Sequence, residues 1–143
     1  MFYESSRYVV TALLLFATSA SGQAAPRLKD KGPTVPRDFT GKFGFYTVVL
    51  KIDTVQEKDG LIRFTGTHAY TPGDYTMKVE GTIDRKTGRV SLRESEPSRA
   101  DSDTDGSFEG TISADFQAID AVWTANGGRN TGQLKLKART AKE

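Results

Sequence analysis

Apolar and polar residues alternate along most of the chain from Phe43 onward, and clusters of turn-forming residues interrupt the alternation about every ten residues. A period of two places successive side chains on opposite faces of a β-strand. No stretch shows the period of an amphipathic helix. The pattern predicts strands at residues 43–53, 61–71, 75–84, 89–96, 107–114, 118–125 and 131–138.

Most segments between these strands, such as QEKDG, TPGD and DRKTG, are short enough for hairpins. Strands that follow one another in sequence should therefore pair in the sheet. An open meander exposes two edge strands, whereas closure into a barrel removes both edges. We expect an all-β fold over residues 41–139, an antiparallel up-and-down meander of seven or eight strands closed into a small barrel.

The phase of the alternation separates an inward face from an outward face. Charged residues such as Arg63, Lys78 and Lys135 occupy the outward phase. The inward phase includes Ile62, Phe64, Gly66, His68, Tyr70, Met77, Val79, Gly81, Ile83, Glu94, Phe108, Gly110, Ile119, Ala121, Trp123, Leu134 and Leu136. The inward glycines recur in FTGT, VEGT and FEGT, where they indicate bends in the strands or close approach of a neighbouring backbone. We expect Trp123 to fill the space above these glycines.

Residues 1–24 have the three-part layout of a secretory signal peptide, with Arg7, an apolar run over 8–17 and small residues over 18–22. The apolar run is far shorter than the roughly 20 residues that span a bilayer. We therefore expect export to the periplasm or the extracellular space, without a membrane span. Residues 25–40 mix charges with glycine and proline and are predicted to form a flexible leader, and residues 140–143 a tail.

Composition and charge exclude several kinds of function. The chain has no cysteine, so it has no disulfide, no thiolate nucleophile and no cysteine metal ligand. Its formal net charge is +2, and its basic residues are scattered rather than clustered. This distribution argues against a nucleic-acid-binding surface.

The segment DSDTDGSFEG, residues 101–110, resembles the first half of a calcium-binding loop. Asp101, Asp103 and Asp105 place carboxylates at alternate positions, and Gly106 follows them. The helical version of this loop needs a bidentate glutamate at its last ligand position, where this chain has the inward residue Ile112. An EF-hand is therefore excluded, and either a strand-borne calcium loop or a solvated hairpin remains.

The chain offers few groups for catalysis. His68 is its single histidine, and no Gly-x-Ser-x-Gly segment occurs. Glu94 and Glu96 suggest the carboxylate pair of a glycosidase only weakly, since Glu96 ends its strand beside a proline. We therefore predict a non-enzymatic protein.

Glu94 shares its strand face with Val90 and Leu92, which predicts a carboxylate inside the barrel. A buried charge without a partner costs several kcal/mol, so Glu94 should be hydrogen-bonded or lie near an open end. His68, Tyr70 and Trp123 share the same inward surface and are, with Glu94, the candidate ligand-binding residues. The alternative for Glu94 is a structural hydrogen bond between strands.

The meander, with segments such as FTGTHAY, KVEGTID, FEGTIS and AVWTANGG, resembles the small secreted β-barrels of the lipocalin and avidin kind. This resemblance implies a barrel that is closed at one end and holds a small molecule at the other. We expect an exported binding module for a small molecule or a surface partner, without a cofactor. The alternative is a calcium-stabilised structural or envelope protein that uses the acidic loop at 101–106.

Export predicts that protein recovered from the periplasm or the culture medium begins at Gln23 or Ala25, because the small residues of the cleavage region precede these positions. N-terminal sequencing of that material measures the cleavage site. Recovery of full-length protein alone, in the cytoplasm, would contradict the prediction.

Overall fold

The computed structural model describes residues 32–102 and 104–140. The predicted signal peptide, residues 25–31 of the predicted leader, Asp103 and residues 141–143 of the predicted tail lie outside the described residues. The elements are β1 (Asp38–Phe43), β2 (Tyr46–Lys58), β3 (Leu61–Thr71), β4 (Tyr75–Asp84), β5 (Arg89–Ser95), β6 (Ser107–Ile112), β7 (Ala118–Thr124) and β8 (Thr131–Ala138). In this part of the chain there is no helix long and apolar enough to cross a membrane.

Each strand pairs antiparallel with its neighbours in sequence, and β1 also pairs with β8 to close the barrel. The closing register runs from Phe39 opposite Ala138 to Phe43 opposite Leu134. The predicted fold class, an all-β meander closed into a small barrel, is therefore confirmed, with eight strands.

The first predicted strand, 43–53, is wrong, because the chain turns at Gly44 and Phe45 and divides into β1 and β2. β1 begins at Asp38, inside the segment predicted as a flexible leader. A side chain at Gly41 would collide with the carbonyl oxygen of Lys135 on β8. The closing strand thus needs a glycine at its centre for close backbone approach, and in sequence such a glycine is typical of a turn.

The inward phase predicted from the sequence forms one continuous core. Buried apolar residues come from every strand, and the buried charged or polar residues among those described are His68 and Glu94. At about 25 cal/mol per Å² of apolar surface, this core is the main source of stability in a domain without disulfides.

The inward glycines allow close approach, but Trp123 does not fill the space above them as expected. A side chain at Gly81 would collide with the ring of Phe64, whereas a side chain at Gly66 would collide with the backbone carbonyl of Lys51. Trp123 lies instead against Gly106, immediately before β6. Long-range neighbours of this kind depend on the barrel register, which sequence periodicity does not fix.

One end of the barrel is closed. Phe116, in the β6–β7 turn, is buried, and the guanidinium of Arg85 lies 5.0 Å from the centre of its ring. Arg85 also forms a bidentate ion pair with Glu57, with distances of 2.7 and 2.9 Å, and donates to the carbonyl oxygen of Pro33 at 2.9 Å. We call this the closed end. The opposite end, formed by the β1–β2, β3–β4, β5–β6 and β7–β8 connections, is the open end.

Gly81→Ala is expected to lower the free energy of unfolding by about 1–3 kcal/mol, because the new methyl group overpacks against Phe64. Phe64→Leu should cost less in the Gly81→Ala background than in the wild type, since the shorter side chain relieves the collision. Urea unfolding of the four proteins of this double-mutant cycle gives the coupling energy.

Gly66→Ala is the matched control for this cycle, because its methyl group meets backbone at Lys51 and not a side chain. Phe64→Leu should not rescue it. Strict additivity of Gly81→Ala and Phe64→Leu would show that the ring does not fill the space over Gly81.

Candidate functional site

A cavity of about 200 Å³ lies at the open end of the barrel. Its lining is mainly aromatic, with one carboxylate that is nearly buried and a charged pair from the β5–β6 connection. The lining residues are Phe43, Tyr46, Tyr70, Tyr75, Met77, Glu94, Arg99, Asp101, Ser102, Phe108 and Trp123. We call this the aromatic cavity.

Three adjacent strands bring the polar groups of this cavity together. His68 and Tyr70 lie on β3, and Glu94 lies near the end of β5, opposite Val79 of the intervening strand β4. The β-strand period of two turns all three side chains inward. Residues 26 positions apart in sequence thus meet inside the barrel.

Oε1 of Glu94 accepts two hydrogen bonds. His68 Nδ1 lies 2.5 Å from this oxygen, and the Tyr70 hydroxyl donates a short hydrogen bond to the same atom. Only 7% of the surface of Glu94, 3% of that of Tyr70 and none of that of His68 is exposed. Hydrogen bonds to an ionised group in such surroundings are strong, and they offset part of the cost of burying the charge.

Burial raises the pKa of Tyr70 far above the usual tyrosine range, and the negative charge and hydrogen bond of Glu94 raise it further. The phenol therefore stays protonated and remains a donor. The pKa of Tyr75, which lies closer to solvent, is also raised. Burial and the neighbouring hydroxyl of Tyr46 raise it to about 12.

The hydrogen bond to Glu94 also selects the tautomer of His68. An ionised carboxylate accepts and cannot donate, so Nδ1 carries the hydrogen. Nε2 is then a lone-pair acceptor, and it is the one fully buried side-chain nitrogen or oxygen of the described chain that has no hydrogen-bond partner.

The second carboxylate oxygen of Glu94, Oε2, has no protein partner in the described chain. Both side-chain hydrogen bonds of this residue end on Oε1, and Oε2 does not belong to the fully buried atoms without a partner. Glu94 lines the aromatic cavity, so this oxygen retains access to the cavity. The site therefore presents a free hydrogen-bond acceptor with negative charge.

Aromatic rings pack in contact around this carboxylate. The rings of Tyr70 and Tyr75 stack with their centres 4.8 Å apart and an interplanar angle of 8°. Tyr46 meets both edge-on, at 5.7 and 5.9 Å. On the other side of the cavity, Phe43 and Trp123 pack edge-on at 6.3 Å. Each ring is fixed by at least one other, so the walls are preorganised.

Arg99 lies at the mouth of the cavity. Its guanidinium carbon is 4.9 Å from the centre of the Tyr75 ring, and its Nη2 is 3.0 Å from Oδ2 of Asp101. The backbone of Ser98 is hydrogen-bonded to that of Thr76 at 2.9 Å, which attaches this part of the β5–β6 connection to β4. The Asp101 carboxylate raises the pKa of Arg99, and Arg99 in turn lowers the pKa of Asp101.

The predicted calcium ligands do not form a cluster in the described chain. Asp101 is paired with Arg99, Asp103 lies outside the described residues, and no group of three or more His, Asp or Glu residues suited to a metal ion occurs among those described. A calcium loop at 101–106 remains a prediction from the sequence.

The four candidate ligand-binding residues all lie in or beside the aromatic cavity. Glu94, Tyr70 and Trp123 line it, and His68 supports Glu94 from below without lining it. Glu96 lies outside, 66% exposed at its side chain and 2.5 Å from Lys78, so the glutamate pair is not one site.

Sequence reasoning missed Arg99 and did not select Tyr46 as a site residue. Arg99 belongs to a connection without periodicity, and its stacking on Tyr75 has no sequence signal. Tyr46 lay inside the predicted strand 43–53, but the turn at Gly44 and Phe45, which places it at the start of β2, was not predicted.

The chain matches no protein-family model, no curated protein and no solved structure.

Raised pKa values in the fold make stability depend on pH above the ordinary tyrosine pKa of about 10. Tyr70 in the unfolded chain ionises near that pH, whereas in the folded barrel it stays protonated. Its contribution to stability is therefore complete below about pH 10 and falls above it, by at most about 1.4 kcal/mol per pH unit.

We expect the free energy of unfolding to fall less steeply above about pH 10 in Tyr70→Phe than in the wild type, because Phe cannot ionise. Urea unfolding between about pH 8 and 11.5 measures both slopes. All other titratable residues are the same in both proteins, so the difference between the slopes reports on Tyr70. Equal slopes would contradict a raised pKa at this position.

Proposed function

We propose that the protein is an exported, non-enzymatic binding module that holds a small molecule in the aromatic cavity. The observation that carries this proposal is Oε2 of Glu94, a carboxylate oxygen with no protein partner that lines a cavity with aromatic walls. Ligand sites are commonly apolar clefts with a few polar groups at defined positions, and this cavity has that composition.

The size of the cavity limits the ligand. Its volume of about 200 Å³ equals roughly seven water molecules at liquid density. It therefore suits a compact molecule, or one compact group of a larger molecule whose remainder stays outside the mouth. The lipocalin and avidin kind of barrel, which the sequence resembles, offers an analogy for a ligand held at the open end.

A purely structural role for Glu94 explains less. A tie between β3 and β5 needs only an uncharged partner for Tyr70 and His68, and burying a carboxylate for that purpose is unfavourable. A charge placed at the bottom of an open cavity is instead available to a ligand.

Binding also accounts for the site better than catalysis does. His68 uses Nδ1 to hold Glu94, and its other nitrogen is fully buried and does not reach the cavity. The raised pKa values of Tyr70 and Tyr75 keep these two phenols protonated. Among the described residues that line the cavity, Glu94 is therefore a carboxylate without a histidine or a nucleophile activated by one beside it in the cavity.

The calcium-stabilised alternative has less support, because Asp101 already has a cation partner in Arg99. The layout of residues 1–24 supports export.

Trp123 is the single tryptophan of the chain and lines the aromatic cavity, so its fluorescence reports on the site. Titration with a panel of compact cations, anions and neutral molecules should give at least one saturable change. A ligand that binds only the folded protein should also raise the melting temperature. We expect Glu94→Gln to weaken that ligand by about tenfold, equivalent to 1.4 kcal/mol.

Glu96→Gln is the matched control, because it removes the same charge two residues away but outside the cavity. It should leave the affinity unchanged. Absence of any saturable change across the panel would contradict the proposal. A large calcium-dependent rise in melting temperature that Asp103→Ala abolishes would favour the calcium-stabilised alternative.

A further inference from the structure

We infer that the ligand of the aromatic cavity is a small cation, with a primary or quaternary ammonium group held against Glu94 Oε2. This inference rests on the proposed function and adds the sign of the ligand's charge. It follows from three observations: the balance of charge around the cavity, the aromatic walls, and the position of Arg99.

The charges lining the cavity leave one carboxylate uncompensated. They are Glu94, Arg99 and Asp101, and Arg99 is paired with Asp101 through two hydrogen bonds, of 3.2 and 3.0 Å. Glu94 has no cation partner that lines the cavity, since its hydrogen-bond partners are Tyr70 and His68, and His68 lies outside the lining. The interior of the cavity is therefore negative.

The walls suit a cation better than an anion. Aromatic rings carry partial negative charge on their faces and attract ammonium and guanidinium groups within about 6 Å of the ring centre. Tyrosine hydroxyls near Glu94 also resist ionisation, so they add no charge that varies near neutral pH. A negative group placed here would face Glu94 across an apolar space, where repulsion is weakly screened.

Arg99 shows that the mouth of the cavity attracts a cation. Its guanidinium lies over Tyr75 at 4.9 Å, although its side chain is 43% exposed and is also hydrogen-bonded to Asp101. It occupies a ring face that a ligand cation would also use. For a cationic ligand Arg99 is thus a competitor, whereas for an anionic ligand it would be the main partner.

The role of Arg99 makes Arg99→Ala the decisive variant, because opposite ligand charges predict opposite effects. Removal of the guanidinium frees the face of Tyr75 and the carboxylate of Asp101. We expect the affinity for a cation to rise about two- to fivefold, a change within the range of one cation–π contact. Arg93→Ala, which removes an exposed arginine of β5, should have no effect.

The probes are choline and its uncharged isostere 3,3-dimethylbutan-1-ol, which share size and shape and differ in charge. Titrations follow Trp123 fluorescence and calorimetric heat with the full mature chain. We expect choline to bind at least about tenfold more tightly than the isostere, equivalent to 1.4 kcal/mol. Glu94→Gln should bring the two affinities close together, and Glu96→Gln should leave their ratio unchanged.

The outcomes separate this inference from the proposed function. Equal binding of the two probes, or binding of another panel molecule but of neither probe, would overturn the cation assignment and leave the binding module intact. Loss of all binding in Arg99→Ala would indicate an anionic ligand and would also overturn it. If no molecule binds, both proposals fail. Should Glu94→Gln not fold, the isostere ratio and Arg99→Ala still decide.

Discussion

Closure of the sheet by five residue pairs between β1 and β8 is the constraint on which the rest of the molecule depends. With no edge strand left to pair, every strand must present alternate residues to a narrow interior, and large side chains can enter only where a neighbour yields space. Gly41 permits the closing strands to approach, and Gly81 yields its space to Phe64. Closure also creates two barrel ends that differ in structure. Arg85 and Phe116 seal one of them, and the aromatic cavity occupies the other.

The apolar interior that results determines how Glu94 behaves. In water its carboxylate would be solvated on both oxygens, but inside the barrel it relies on two donors that converge on Oε1. The same burial keeps the Tyr70 phenol protonated, so the donor and the acceptor stabilise each other's state. Replacing only one member would leave a buried polar group unpaired, which usually costs more than removing the whole set. The three residues therefore act as one unit.

Period-two alternation predicted those parts of the structure that depend on local geometry. The bounds of β3, β4 and β8 match the predicted strands, and the inward phase placed His68, Tyr70 and Glu94 on one surface. Prediction failed where a residue's role depends on a distant partner. The predicted first strand began only at Phe43 because the partner of Gly41, the Lys135 backbone, is distant in sequence, and Trp123 lies over Gly106, not over the repeated inward glycines. The stacking of Arg99 on Tyr75 likewise requires the path of an aperiodic connection.

The two unpartnered atoms of the polar unit differ in a way that bears on function. Nε2 of His68 is sealed in the core, where its missing hydrogen bond is a fixed cost of orienting Glu94. Oε2 of Glu94 faces a cavity instead, where a ligand can satisfy it and recover the desolvation cost on binding. Proteins tend to depart from full polar satisfaction at functional sites. If position 94 served only the core, an apolar residue there would give greater stability, as Val90 and Leu92 do on the same face of β5. The carboxylate stands at the one inward position of β5 that lines the cavity, and its desolvation cost supports the proposed binding role over a purely structural one.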